Sequence, residues 1–172
     1  MKKKPDNLSL RALEPDDADF MFEAESDPDA WRYSDYMAPL SRELLRQYAL
    51  TYDADPIRAG QLRLIIEYKG APIGTADLFE ISARHLHAEC GIYILPAFRG
   101  QGLASRALRL LRDYCRNRLG LHILAADVSE PNSAARRCYE KAGFISSGKK
   151  PGWLRTPDGY EDVLIYHSNL NN

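Results

Sequence analysis

A glycine-containing turn between an apolar strand and an amphipathic helix is the segment of this sequence most suited to binding chemistry. It runs from Ile92 to Ala104, with Gly100 and Gly102 close together and Arg99 just before them. Glycine lets the backbone curl tightly, so that an anion can approach the amides of the turn. The first amides of the following helix lack partners inside that helix and lie at the positive end of its dipole. The turn therefore predicts a binding site for a pyrophosphate, with Arg99 supplying a cation.

The turn alone is not specific, because glycines also precede helices for purely conformational reasons. The dinucleotide fingerprint needs a third glycine near the position of Arg106, and the P-loop needs a Gly-Lys-Ser/Thr ending. Neither pattern is present. A second element, one helix and one strand further along, adds the specificity: it spans residues 130–144 and contains Asn132 and Tyr139.

Together the two elements resemble the signatures of the GNAT superfamily of acyl-CoA N-acyltransferases. The first signature, Arg/Gln-x-x-Gly-x-Gly/Ala after a central strand, is matched by Arg99, Gly102 and Ala104. The second is an asparagine-bearing helix that ends in Tyr-x-x-x-Gly-Phe. Five residues match it in order: Asn132, Ala135, Tyr139, Gly143 and Phe144. The resemblance extends over most of the chain, from about residue 8 to residue 166.

The resemblance implies an N-acetyltransferase that uses acetyl-CoA as cosubstrate. It also implies an α/β (α+β) fold whose mixed central sheet is antiparallel in its N-terminal half, with parallel, splayed central strands and about four flanking helices. Ten residues would then contact the cofactor: Ile92, Tyr93, Ile94, Arg99, Gly100, Gln101, Gly102, Leu103, Ala104 and Asn132. The alternative for Asn132, an ordinary helix N-cap, fits its position equally well.

Two residues are candidates for proton transfer. Tyr139 matches the family tyrosine that lies near the coenzyme sulfur and reprotonates it, although it could also be a core tyrosine stacked under Phe144. Glu89, at the start of the central strand, is the candidate base, with a solvated strand-end glutamate as the alternative. Some route for proton removal is needed, because an ammonium with a pKa near 10 is only about one part in a thousand neutral at pH 7.

The acceptor amine is less determined by the sequence. Residues 77–81 and 85–89, followed by the glycine-containing turn, look like the bacterial spermidine and diamine N-acetyltransferases. Those enzymes carry an aromatic and acidic loop where this chain has residues 31–36, so Asp35 and Tyr36 are candidate substrate-binding residues. Glu80 is a third candidate, in an acidic pocket with Asp35 and Glu89. The chain departs from that group by having Asp35 where adjacent glutamates are usual, which leaves fewer carboxylates for a polycation.

Two other functions stay open at this point. Acetylation of peptide N-termini is one, because ribosomal-protein alanine acetyltransferases share the opening and closing motifs of the chain. The other is a non-catalytic acyl-CoA sensor, which the intact Tyr139 argues against, since a pure binder needs no acid. A homodimer or larger homo-oligomer is implied by the resemblance alone.

Hydrophobic periodicity and turn residues predict the elements that position these groups. Strands are predicted at 8–12, 62–68, 73–81, 88–95, 121–128, 144–155 and 160–167, and helices at 16–25, 41–52, 102–119 and 132–142. The strands before and after the third helix are expected to pair in parallel across a helical crossover. A mixed α/β sandwich follows.

Composition limits the remaining possibilities. With 172 residues and 45% hydrophobic content, the chain is expected to form one domain over residues 1–172, with 1–6 as a frayed terminus. A net charge of −1 gives no field that would recruit nucleic acid or an anionic membrane. Pro5, Asp6 and Asn7 stand where the apolar core of a signal peptide would follow Lys2–Lys4, so we expect no signal peptide, and no apolar stretch is long enough to cross a membrane. Three dispersed cysteines without a C-x-x-C pair indicate free thiols, a cytoplasmic location and no metal site.

Overall fold

The computed structural model describes residues 7–33 and 37–171. Within them, seven strands form one sheet: β1 (Leu8–Ala12), β2 (Leu62–Tyr68), β3 (Ala71–Ser82), β4 (His87–Ile94), β5 (Ile123–Ser129), β6 (Ile145–Thr156) and β7 (Gly159–Asn169). The same residues contain six α-helices: α1 (Ala18–Glu25), α2 (Pro28–Trp31), α3 (Arg42–Leu50), α4 (Pro56–Ala59), α5 (Leu103–Asn117) and α6 (Ser133–Lys141). The predicted frayed terminus, residues 1–6, lies outside the described residues.

The sheet has the strand order β1-β2-β3-β4-β5-β7-β6. Only β4 and β5 pair in parallel, and α5 makes the crossover between them; every other neighbouring pair is antiparallel. The predicted fold class, a mixed sheet with an antiparallel N-terminal half and parallel central strands, is therefore confirmed.

Four helices have eight residues or more, as expected, but two short helices were not predicted. One of them is α4, which begins at Pro56 in a segment where the sequence predicted no helix. The Asp55 carboxylate accepts hydrogen bonds from the amides of Ile57 and Arg58 at 3.0 and 3.2 Å. Asp55 is thus an N-cap, and a proline in the first turn suits a helix start.

Helices cover both faces of the sheet. On one face α5 buries a stripe of side chains with helical spacing: Leu103, Ala107, Leu108, Leu111 and Cys115. On the other face, α1 and α3 pack a second apolar cluster that includes Met21, Leu45 and Ile65. In the part of the chain that the structure describes, no helix combines the length and apolarity that crossing a membrane would require.

The two parallel strands separate towards their C-terminal ends. They pair at only three positions, the last of which joins Glu89 to Ala125. Beyond it, the Tyr139 hydroxyl donates to the Cys90 carbonyl oxygen at 3.4 Å, and Arg99 Nε donates to the Ile94 carbonyl oxygen at 2.9 Å. Because backbone groups alternate along a strand, the N–H and C=O of Ile92 also face this gap. The predicted splay is present, and it leaves strand edge available for a ligand.

Candidate active site

The corner between β4 and α5 has the backbone that the glycines were expected to permit. Gly100 and Gly102 have φ angles of 76° and 72°, in the left-handed region that favours glycine. A Cβ built on either residue would meet no atom within 4 Å, so the requirement is conformational and the turn is open. Gly102 is the N-cap of α5, whose first amides have no acceptor within the helix. This arrangement suits an anion.

A cleft of about 650 Å³ extends from this corner between β4 and α6. Nine of the ten predicted cofactor residues line it: Ile92, Tyr93, Ile94, Arg99, Gly100, Gly102, Leu103, Ala104 and Asn132. Gln101 does not line it, and its amide Nε2 instead donates to the Ala97 carbonyl oxygen at 3.3 Å. The lining also includes residues that the sequence did not single out: Asp29, Arg32, Ser105, Arg137, Cys138 and Lys141.

Asn132 fulfils the N-cap role that was left open for it. Its Oδ1 accepts a hydrogen bond from the Ala135 amide at 3.0 Å, which starts α6. The residue also lines the cleft. Capping and cofactor contact are therefore compatible, since the side-chain nitrogen is not used by the cap.

Arg99 lines the cleft, but its charge is already compensated. Its Nη2 lies 2.5 Å from Asp27 Oδ2 and its Nη1 lies 3.3 Å from Asp29 Oδ2. The sequence predicted Arg99 as a cation beside the phosphates, and the two carboxylates offset its charge. They reach the corner through the short helix α2 and its N-cap Asp27, which the sequence did not predict.

Asp27 connects several elements through its carboxylate. It accepts hydrogen bonds from the Tyr93 hydroxyl at 2.9 Å and from the Asp29 amide at 3.0 Å, in addition to the contact with Arg99. Burial alone would raise the pKa of Asp27, but these hydrogen bonds outweigh it and hold the pKa below its usual range. Burial, together with the Asp27 carboxylate, raises the pKa of the Tyr93 hydroxyl.

Residues 27–33, which we call the strap, cross the gap between the splayed strands. At one end Asp27 is bound to Tyr93 of β4. At the other end Arg32 forms an ion pair with Glu161 of β7, and the Glu161 carboxylate also accepts a hydrogen bond from Ser129 Oγ of β5 at 2.7 Å. The strap is thus held on both sides of the gap that it covers.

Tyr139 meets both descriptions that the sequence allowed. Its ring packs edge-on against Phe144, with centroids 5.1 Å apart, as a core tyrosine would. It also lines the cleft, with its hydroxyl directed at the Cys90 carbonyl in the strand gap. Burial raises the pKa of Tyr139 well above its ordinary value. The phenol therefore stays protonated over the physiological range and can donate a hydrogen bond to an anion in the gap.

A second cleft, of about 270 Å³, joins the first. The two share four lining residues: Ala30, Tyr33, Ile92 and Tyr93. In the second cleft Arg63 lies between two carboxylates, with Nη1 3.0 Å from Glu25 and Nε 2.6 Å from Asp77. Two carboxylates against one guanidinium leave a net negative charge. Phe79 adds an aromatic surface to that of the two shared tyrosines.

Glu80 and Glu89 line neither cleft in the part of the chain that the structure describes. Glu80 is exposed, at a β-bulge beside Phe79, with a φ of 49°. Glu89 lies on the same strand face as Gly91, which lines the second cleft, and is separated from it by roughly 7 Å along the strand. Asp35 and Tyr36 lie outside the described residues.

Comparison with known proteins identifies the class. A model of the acetyltransferase (GNAT) domain matches residues 7–145, and the chain belongs to this family. The spermidine N(1)-acetyltransferase of Escherichia coli K12 is 31% identical over 143 residues, which cover 83% of this chain and 75% of that protein. The protein named "Putative ribosomal N-acetyltransferase YdaF" of Bacillus subtilis is 30% identical over 183 residues, covering 98% and 93%.

Solved structures agree with this assignment. Spermidine N-acetyltransferase from Vibrio cholerae, in complex with CoA and spermine, has a TM-score of 0.84 and 26% identity, with 96% of each chain covered. A dodecameric structure of the Vibrio cholerae enzyme has a TM-score of 0.81 and 27% identity, covering 96% of this chain and 95% of that one. The protein is an acetyl-CoA-dependent N-acetyltransferase, as the sequence predicted, with acetyl-CoA as its cosubstrate.

Proposed function

We propose that this acetyltransferase transfers the acetyl group to a primary amine of a polyamine such as spermidine. One observation carries the proposal: the cleft beside the glycine corner opens into a second cleft whose charged lining is net negative. An acceptor in the second cleft would therefore lie next to a thioester in the first. Its amine would be cationic before reaction, which the net charge of the lining favours.

The size and surface of the second cleft also favour a small, extended cation. Its volume of about 270 Å³ is slightly below the roughly 300–1,000 Å³ of typical small-molecule sites. Tyr33, Phe79 and Tyr93 supply aromatic faces. Such faces attract ammonium groups and pack against the methylene units between them. A polyamine offers both kinds of group along its whole length.

In this proposal the cofactor occupies the first cleft. Its pyrophosphate binds the amides at the start of α5, and Ile92 to Ile94 hold the pantetheine arm through the backbone groups that face the strand gap. The thioester then lies near Tyr139. Asn132, at the start of α6, contacts the cofactor from the other side of the cleft.

The reaction needs two proton transfers. The amine loses a proton before it attacks the thioester carbonyl, and the coenzyme thiolate gains one as it leaves. Tyr139 donates to the thiolate, since its hydroxyl is protonated and faces the gap. Glu89 takes up the amine proton through water, because Glu89 does not itself line the cleft. Asp35, Tyr36 and Glu80 are proposed to hold the distal amines of the acceptor.

The relatives support the same acceptor class and a multimeric enzyme. Both the Escherichia coli relative and the Vibrio cholerae structures are spermidine acetyltransferases by name, and one of those structures is dodecameric. We extend this to a homo-oligomer of the present chain. Three free thiols, at Cys90, Cys115 and Cys138, suit the reducing cytoplasm.

Acetylation of peptide N-termini is the second candidate. It is favoured by the similarity to the ribosomal-type Bacillus subtilis protein, which covers 98% of this chain. A peptide would present one cation at its terminus, whereas a polyamine presents several. The two functions therefore differ in how strongly the rate depends on the charge of the acceptor cleft.

A thiol-release assay with acetyl-CoA tests the proposal. The acceptors are spermidine, spermine and putrescine, with short peptides that begin with Ala or Ser as the comparison. We expect kcat/KM for spermidine to exceed that for the peptides at least about 100-fold. Turnover on the peptides alone would reassign the acceptor, and no thiol release with any amine despite acetyl-CoA binding would support a sensor instead.

A further inference from the structure

The cations of the cofactor cleft are not equivalent. Among the described residues, four basic side chains line it: Arg32, Arg99, Arg137 and Lys141. Arg32 is paired with Glu161, and Arg99 is paired with two carboxylates of the strap. Coenzyme A brings a pyrophosphate and a separate 3′-phosphate to this cleft, so the pairing leaves fewer cations for the phosphates than the lining suggests.

Arg137 and Lys141 are the two that remain. They stand four residues apart on α6, so they lie on the same face of the helix one turn from each other. Both are exposed. Among residues 7–33 and 37–171, no carboxylate lies within ion-pair distance of either side chain. Arg109 of α5 donates to the Lys141 carbonyl oxygen at 2.9 Å and so fixes this end of α6 against α5.

The pyrophosphate and the 3′-phosphate make different demands. The amides at the start of α5 suit the pyrophosphate, because they form a concave set of anion-binding donors at the glycine corner. A phosphomonoester carries about −1.5 to −2 charges at pH 7, so charge-assisted hydrogen bonds from cationic side chains bind it more strongly than neutral donors do. The uncompensated cations lie on α6, across the cleft from the amides.

We propose that Arg137 and Lys141 form a subsite for the 3′-phosphate of coenzyme A. The subsite selects the phosphorylated coenzyme over its 3′-dephospho form, whereas Arg99 anchors the strap and contributes little to phosphate binding. The inference rests on placement of the cofactor in the first cleft and is independent of the acceptor amine.

Calorimetric titration of the full chain with CoA and with 3′-dephospho-CoA tests this directly. We expect the wild type to bind CoA about tenfold more tightly, which corresponds to about 1.4 kcal/mol. In the Arg137→Gln/Lys141→Gln double variant the ratio should fall below about twofold, while the affinity for 3′-dephospho-CoA stays the same. The control is Arg84→Gln, an exposed arginine outside both clefts.

Three results would overturn the subsite. They are a wild-type ratio near one, a ratio that persists in the double variant, and an equal loss of affinity for both ligands, which would assign the two cations to the pyrophosphate. The wild-type ratio needs no variant, so the test survives even if a substitution impairs folding. Since no amine is present, failure here is distinct from failure to acetylate polyamines.

Discussion

Replacement of Asp27 by asparagine should destabilise the fold by a predictable amount. The Asp27 carboxylate is 8% exposed and accepts hydrogen bonds from Arg99, Tyr93 and the Asp29 amide. Hydrogen bonds to charged groups contribute about 1.5–3 kcal/mol, and asparagine keeps an acceptor but loses the charge. Because the Arg99 side chain is 39% exposed, we expect the lower end, about 1.5 kcal/mol of unfolding free energy at pH 7.

The destabilisation caused by Asp27→Asn should decrease as the pH falls. The pKa of Asp27 is lowered in the folded state, so its stabilising effect is complete above the unfolded pKa of about 3.9 and is lost as the pH falls through the folded value. The difference between wild type and Asp27→Asn should therefore be constant from about pH 5 to pH 7 and shrink below about pH 4.

Urea unfolding at pH 7, 5, 4 and 3.5 measures this difference. The matched control is Asp29→Asn, because Asp29 contacts the same arginine at 3.3 Å but its side chain is 83% exposed. That control should cost less than about 0.5 kcal/mol. Equal effects of the two substitutions, or a difference that grows as the pH falls, would refute the reasoning that Asp27 is the anchor of the strap.

Three further predictions concern the clefts. Glu25→Gln should raise KM for spermidine about fivefold in the thiol-release assay and leave KM for peptides unchanged, because it removes the one net negative charge of the acceptor cleft. Glu23→Gln, exposed on the same helix, should change neither KM. Because burial raises the pKa of Tyr139, the phenol should stay protonated up to pH 10. A profile of kcat against pH should therefore show no alkaline decrease up to pH 10. Gly102→Ala forces alanine to a φ of 72°, so it should lower the free energy of unfolding by about 1 kcal/mol and weaken acetyl-CoA binding measured by calorimetry. Gly70→Ala, at a φ of 81° in a turn outside both clefts, should lower the stability alone.

The parts of the site that the sequence predicted are those formed by contiguous residues. The strand, the glycine corner and α5 follow one another between residues 92 and 117, so periodicity and glycine spacing were enough to find them. Tyr139 and Asn132 were found because both belong to one contiguous motif, residues 132–144, that resembles the family's second signature. The N-cap bond of Asn132 and the packing of Tyr139 on Phe144 show that the structural and functional interpretations of a residue can hold together.

The parts that were missed depend on distant pairs. Asp27 meets its partners Tyr93 and Arg99 across 66 and 72 residues, and no local pattern encodes such a contact. The helix that follows Asp27 is a single turn of four residues, too short for periodicity to reveal. An aspartate before a proline was the available signal, since it is typical of a helix N-cap followed by the first helical position.

The acidic lining of the acceptor cleft shows the same limitation. Glu25, Arg63 and Asp77 come from one helix and two strands, and the net charge of the lining follows only when all three are brought together. The sequence instead favoured the acidic residues Glu80 and Glu89, because they lie in the segments that precede the corner along the chain. Strand alternation places Glu89 on the correct face, but two residues along β4 from Gly91 of the lining.

The role of Tyr139 at the strand gap is the claim on which the catalytic account depends. Steady-state thiol release by Tyr139→Phe tests it, with Tyr166→Phe as the control, since Tyr166 is also a buried tyrosine but lines neither cleft and donates to Glu140. We predict that kcat falls at least about 100-fold in Tyr139→Phe, with acetyl-CoA affinity unchanged, and stays within about threefold of wild type in Tyr166→Phe. A kcat for Tyr139→Phe within threefold of wild type would contradict the assignment of this hydroxyl as the acid.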